Sequence, residues 1–232
     1  MAFKRKSSPK KTYAAIILLV ILIAATAAVV YVVANPAPKV VTVGVHVGDV
    51  FTYNITGTYT LVGLDAVAPA GFDEYNDTAY YKITITDITE TNVTMNTLWH
   101  FDNGTDVAGT QTIDIASGWK ASDTGFWALY PANLNVGDLL RPKGFDGLTV
   151  NLTDTRAFAD SSRVSNLWFI NNQFFNVNDP TQNTQRYDYT GVTFDKATGM
   201  LETLTNYQEY NNPAMKETIT WNLVSSTVWN VK

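Results

Sequence analysis

The chain is predicted to fold as an all-β antiparallel domain, a β-sandwich or a curved half-barrel, following one N-terminal transmembrane helix. Three observations lead there. Phe51 to Leu61 alternates Phe, Tyr, Ile, Gly, Tyr and Leu with Thr52, Asn54, Thr56, Thr58 and Thr60, the period of a strand with one buried and one wet face. About ten such stretches follow at hairpin spacing with no βαβ alternation, which calls for an antiparallel sheet. Tyr13 to Ala34 contains no charged residue.

At about 1.5 Å per residue, that apolar run reaches roughly 33 Å as a helix, enough to cross a hydrocarbon core of about 30 Å. Lys4, Arg5, Lys6, Lys10 and Lys11 precede it and no acid does, so the N-terminus is expected in the cytoplasm and the remainder outside. A cleaved signal peptide is the alternative, with small residues at Ala25-Thr26-Ala27 and Val32-Val33-Ala34. The run exceeds the usual h-region of about 7–15 residues, which favours a retained anchor. The expected division is a basic tail over 1–11, a span over 12–34, a Pro-containing stem over 35–43 and an extracytoplasmic domain over 44–232.

The 16 bases and 21 acids of the chain divide unevenly: five bases and no acid precede residue 35, leaving 11 bases, 21 acids and a net −10 for the rest. An acidic domain is a poor partner for nucleic acid or anionic headgroups. With no cysteine, disulfides, thiol catalysis and thiolate metal sites are excluded. Abundant Thr, Asn, Val and Tyr suit a twisted, half-exposed sheet.

After the strand to Leu61, residues 62–78 read as a loop. Tyr81, Ile83 and Ile85 then alternate with polar residues, the chain turns near Thr89-Glu90-Thr91, and Val93, Met95, Thr97, Trp99 and Phe101 return on one face. Asp102 to Asp106 makes the next turn, followed by a strand near Thr110–Ile115. Further strands are expected at Leu148–Thr153, Asn166–Ile170 and Arg186–Phe194, with a loop at Asn176–Thr184. The stretch Phe194 to Met200 (FDKATGM) reads as a hairpin turn with Gly199 in the left-handed region. Strands Leu201–Tyr210 and Thr218–Val224 close the chain. Helical turns are expected only at Pro131–Leu134 or Phe158–Asn166. His46-Val47-Gly48-Asp49 and Asn135-Val136-Gly137-Asp138 share a Val-Gly-Asp pattern, read as one turn used twice.

Five Asn-x-Thr sequons mark Asn54, Asn76, Asn92, Asn103 and Asn151 as candidate glycosylation sites; Asn54, Asn92, Asn103 and Asn151 are expected to face solvent. His46 and His100 lack an evident catalytic partner. No spacing among the acids selects a carboxylate pair, and no cofactor or metal is assigned. Asp102 to Asp106 has oxygen ligands at alternate positions but reads better as a hairpin turn than as a calcium loop. Trp119, Phe126, Trp127 and Tyr130 cluster in one irregular segment and form the candidate ligand-binding region.

The basic tail, the single apolar span, Val47-Gly48-Asp49-Val50-Phe51-Thr52-Tyr53 and Asp195-Lys196-Ala197-Thr198-Gly199 together resemble membrane-anchored surface proteins of archaea with a β-rich ectodomain. The resemblance implies an extracytoplasmic location and brings no activity. The expected function is therefore a non-enzymatic cell-surface module, binding a glycan or another surface protein or contributing to the envelope. The first alternative is a carrier holding a lipid or other apolar ligand in a curved sheet, with Phe51, Tyr53, Ile55 and Tyr59 lining the cavity. The second is a glycoside hydrolase.

Overall fold

The structure, a computed structural model, describes residues 40–121, 127–175 and 184–231. The expected tail, span and most of the stem lie outside these residues. Among the described residues no helix is long and apolar enough to cross a membrane. The domain from Val41 onward is one compact unit.

Among the described residues nine strands run in chain order: β1 (Val50–Leu61), β2 (Thr78–Thr89), β3 (Asn92–Phe101), β4 (Asp106–Asp114), β5 (Leu152–Ala157), β6 (Ser162–Phe175), β7 (Thr184–Asp195), β8 (Leu201–Asn211) and β9 (Ala214–Ser226), with one helical turn, α1 (Asp73–Asn76). They form a single sheet in the order β4-β3-β2-β1-β9-β8-β7-β6-β5, every pairing antiparallel. The two-sheet sandwich is therefore not the arrangement formed. Two meanders, β1–β4 and β5–β9, meet where the first strand lies against the last.

The period-two pattern of β1 works as expected over its first half. Phe51, Tyr53, Ile55 and Gly57 are buried while Asn54, Thr56 and Thr58 face out. Burying each large apolar side chain contributes about 1.5–3 kcal/mol. Tyr59 and Leu61 continue the same face but are 39% and 42% exposed, because the core ends before the strand does. Strands β6 to β9 also outrun the core.

β1 pairs β2 only from Val50 to Tyr53, yet pairs β9 from Phe51 to Leu61. Beyond the Tyr53–Tyr81 pair the two halves of the sheet separate. Phe72 to Asn76 sit against β1 there, with Phe72 over Gly57, where a Cβ would lie 2.8 Å from the Phe72 ring. The Asn76 side chain occupies the backbone edge that β2 leaves open: Gly57 N–H donates to Asn76 Oδ1 at 3.0 Å and Asn76 Nδ2 donates to Gly57 C=O at 2.8 Å.

The two Val-Gly-Asp segments adopt one geometry. Gly48 (φ 98°) and Gly137 (φ 85°) take the left-handed position. Asp49 N–H donates to His46 C=O and Asp138 N–H to Asn135 C=O. Each Asp Oδ2 receives the N–H of the first turn residue, at 2.8 Å from His46 and 2.6 Å from Asn135. Each glycine then bonds a passing strand or bridge, Ile85 or Val150.

The hairpin at Asp195 is as read from the sequence. Gly199 has φ 76°, and Asp195 Oδ1 accepts from both the N–H and Oγ1 of Thr198. Other boundaries differ. Phe158–Asn166 is not helical: Phe158 N–H bonds Ser161 C=O and β6 starts at Ser162. Leu148–Val150 belongs to a bridged loop, with Leu139 opposite Thr149, and the strand begins two residues later.

Candidate functional site

A hollow of about 560 Å³ opens on the face of the sheet that carries Tyr53 and Ile55. Its walls come from both meanders. Tyr81 of β2, Thr97 and Trp99 of β3, and Val107 to Gln111 of β4 form one side; Leu204 and Asn206 of β8, with Ile219 and Trp221 of β9, form the other. In a flat sheet β4 and β8, five steps apart, would be separated by roughly 24 Å. Lining one hollow, they show that the sheet is strongly curved.

Register places these residues. Trp221 pairs with Ile55 and with Leu204, and Ile219 with Gly57 and Asn206; on the far side Tyr81 pairs with Trp99, and Trp99 with Val107. Hence Phe51, Tyr53 and Ile55, expected to line a cavity in the carrier reading, sit one level deeper as packed core at 0–1% exposure. Tyr53 donates its hydroxyl to Leu201 C=O at 2.9 Å. Residues 127–150 plug the deeper end, where Tyr130 stacks on Phe194 at 4.6 Å and meets Trp168 edge-on. Tyr75 of α1 closes the shallow end.

The walls are aromatic and uncharged. Tyr81 packs edge-to-face on Trp221 at 4.9 Å and on Trp99 at 6.1 Å, and Tyr75 stacks on Trp99 at 6.1 Å. Trp99 donates its indole N–H to Thr78 Oγ1 at 2.7 Å, which satisfies its only polar atom. Burial raises the Tyr81 phenol above its ordinary value, partly offset by a hydrogen bond with Thr97. Burial, Glu74 and Glu217 raise that of Tyr75. Both phenols are therefore neutral at physiological pH, and among the described residues no Asp, Glu, Lys, Arg or His lines the hollow. Such a surface suits an uncharged, largely apolar group.

The sequence-selected aromatic residues Trp119, Trp127 and Tyr130 do not line this hollow. Trp119 is 60% exposed beyond the end of β4. Trp127 is held by its indole bond to Gly118 C=O at 2.8 Å, and Lys120 and Arg141 each lie within 5 Å of the ring centre. Tyr130 is a core residue at 2% exposure, its phenol pushed up to about 12 by burial. Phe126 lies outside the described residues.

His100 Nδ1 meets Asp106 Oδ1 at 2.6 Å and its ring stacks on Tyr80, a surface clasp across the β3–β4 hairpin. Among the described residues no group of three His, Asp or Glu is placed to hold a metal. In the turn at Asp102, Asn103 Oδ1 accepts from Thr105 N–H at 2.9 Å. The most buried acids, Asp195 and Glu202, lie outside the hollow. Asp195 receives two bonds from Arg163 at 2.8 and 2.9 Å, and Glu202 one from Ser165 at 2.9 Å.

Of the sequon residues, Asn54 and Asn103 are exposed and Asn92 is half-buried at the start of β3. Asn151 is exposed but accepts the Phe169 N–H at 2.8 Å. Asn76 has both ends of its amide engaged by Gly57. No protein-family model matches this sequence, and no curated protein matches it.

Proposed function

We propose that this chain is a membrane-anchored, extracytoplasmic binding domain, non-enzymatic, that receives an uncharged apolar group in the hollow of its curved sheet. The observation that carries this reading is the aromatic hollow of about 560 Å³, within the size range of ligand sites, about 300–1,000 Å³. The charge-free run from Tyr13 to Ala34 behind a basic tail supports the anchor.

The lack of charge in the lining also favours a second reading, a carrier for a lipid. Native mass spectrometry of the full chain, gently extracted from its host membranes, tests both. Bound neutral lipid-sized mass that disappears in Ile219→Trp, which fills the hollow, selects the carrier. An empty chain that still takes up the neutral dye N-phenyl-1-naphthylamine selects the surface module. No adduct and no dye uptake would reject the site altogether.

A further inference from the structure

We infer that the hollow takes a neutral amphiphile of the long-chain alcohol type, its hydroxyl meeting Asn206 and its tail lying among the aromatic rings. The inference rests on the binding reading above and names the class of its ligand.

Strands β8 and β9 grade from apolar to polar toward the shallow end of the hollow. Leu204 pairs with Trp221, then Asn206 with Ile219, and all four line it. Gln208 and Glu217 form the next pair on that face, just beyond the lining. Successive pairs on one face are about 6.8 Å apart. An elongated molecule lying along these strands therefore meets rings at one end and hydrogen-bonding groups at the other.

Most polar side chains of the walls are already engaged. Tyr81 and Thr97 share a hydrogen bond, Trp99 donates to Thr78 at 2.7 Å and Thr110 to Asn96 at 3.0 Å. Asn206 differs. Its Oδ1 is buried and, among the described residues, has no hydrogen-bond partner. An amide held that way is costly, and here it stands between Leu204 on its own strand and Ile219 opposite. A hydroxyl both donates and accepts, so it serves either end of the amide as that group turns about its broad terminal torsion.

Charge narrows the head group further. Among the described residues no charged side chain of either sign lines the hollow, so an ionic head beside Asn206 would lie unpaired. An anionic head would also face Glu217, whose charge acts at the shallow end, where it helps to raise the Tyr75 phenol. A plain hydrocarbon would avoid both costs and leave Asn206 unmet. A neutral hydroxyl head on an apolar tail meets every condition.

The test uses the full chain in phosphatidylcholine nanodiscs, with empty nanodiscs as the blank. Tritiated oleyl alcohol, octadecene, oleate and oleylamine are compared by scintillation proximity on the natural chain and on Asn206→Leu. Leucine keeps the size of the side chain and removes its amide. Each ratio compares two probes on one protein, so partial unfolding of a variant does not alter it. On the natural chain oleyl alcohol should bind about fivefold tighter than octadecene, the worth of one hydrogen bond, and tighter than oleate or oleylamine. In Asn206→Leu the preference for the alcohol over octadecene should vanish. No such preference on the natural chain, or one that Asn206→Leu leaves unchanged, would overturn the role of Asn206 and leave an unselective apolar site. Tightest binding of oleate or oleylamine would overturn the neutral head. No probe retained above the empty nanodiscs would overturn the binding reading itself.

Discussion

Asn76 stands in for a missing strand beside Gly57. Its Oδ1 accepts from the Gly57 N–H at 3.0 Å and its Nδ2 donates to the Gly57 C=O at 2.8 Å, the two bonds a β2 residue would have made had the strands stayed together. Replacing Asn76 with Ala leaves both backbone groups of a buried glycine unpaired, a loss of about 1–3 kcal/mol. The expected result is a lower melting temperature with faster amide exchange confined to residues 57 and 62–77. Uniformly faster exchange would show that the residue does not act locally. Since the sequon nitrogen is occupied, peptide mapping of the host protein should find glycan mass on Asn54 and Asn103 and none on Asn76.

Gly199 and Gly104 separate backbone strain from steric exclusion. Both have positive φ, 76° and 83°. A Cβ on Gly104 would meet nothing within 4 Å, while one on Gly199 would lie 1.9 Å from Tyr130 C=O. Gly104→Ala should cost about 1 kcal/mol. Gly199→Val should cost about 3 kcal/mol or more, because the hairpin must move off the segment that plugs the core. Chemical denaturation of the two variants decides the matter, and equal losses would refute the steric part.

The paired Val-Gly-Asp turns predict equal sensitivities. Asp49→Ala and Asp138→Ala each remove one carboxylate bond to the first N–H of the turn, with a cost of about 0.5–1.5 kcal/mol apiece. The sites share no partner in these bonds, so the double variant should lose the sum. A marked departure from additivity in denaturation midpoints would argue against two independent copies of one device.

Glu202 supplies the expected pH dependence. Burial holds its pKa above the ordinary 4.5 despite the Ser165 hydrogen bond and the Arg156 and Arg163 charges. A folded pKa above the unfolded one means the native state binds the proton more tightly. Its contribution to stability is therefore complete below about pH 4.5 and lost as pH rises through the folded value. Asp114 works oppositely: burial disfavours its charge, but bonds from Ser117, Thr91 and the Ala116 N–H outweigh that and lower its pKa, so its contribution fades as pH falls. Glu202→Gln should shrink the fall in melting temperature between pH 5 and pH 8. An unchanged pH profile would remove Glu202 as its source.

Local pattern made much of this fold legible. The alternation in Phe51–Ile55 and Val93–Met95, the hairpin at Asp195–Gly199 and the repeated glycine turns all depend on neighbours within a few residues. The hollow was not legible. Trp99 lies on the face that the alternation from Val93 to Phe101 gives it and Trp221 falls in the strand read at Thr218–Val224, but what opposes them depends on how far the sheet bends, which no local pattern carries. Trp119 to Tyr130 drew attention by its density of rings, yet Tyr130 was taken into the core by Phe194 and Trp168, which are distant in sequence. No count of apolar residues distinguishes a ring that fills a plug from one that lines a wall.

The pairing of β1 with β9 has a consequence for how the molecule is made. β1 meets its near neighbour in sequence over four residue pairs and the last strand of the chain over eleven. A ribosome delivers these partners at opposite ends of the domain's synthesis, so β1 keeps one backbone edge unclaimed until almost the whole domain has emerged. Closing so long a loop is slow, and β1 carries Phe51, Tyr53 and Ile55 through that interval. The nascent domain is thus most vulnerable to mispairing at its beginning, and it becomes safe only when its end arrives.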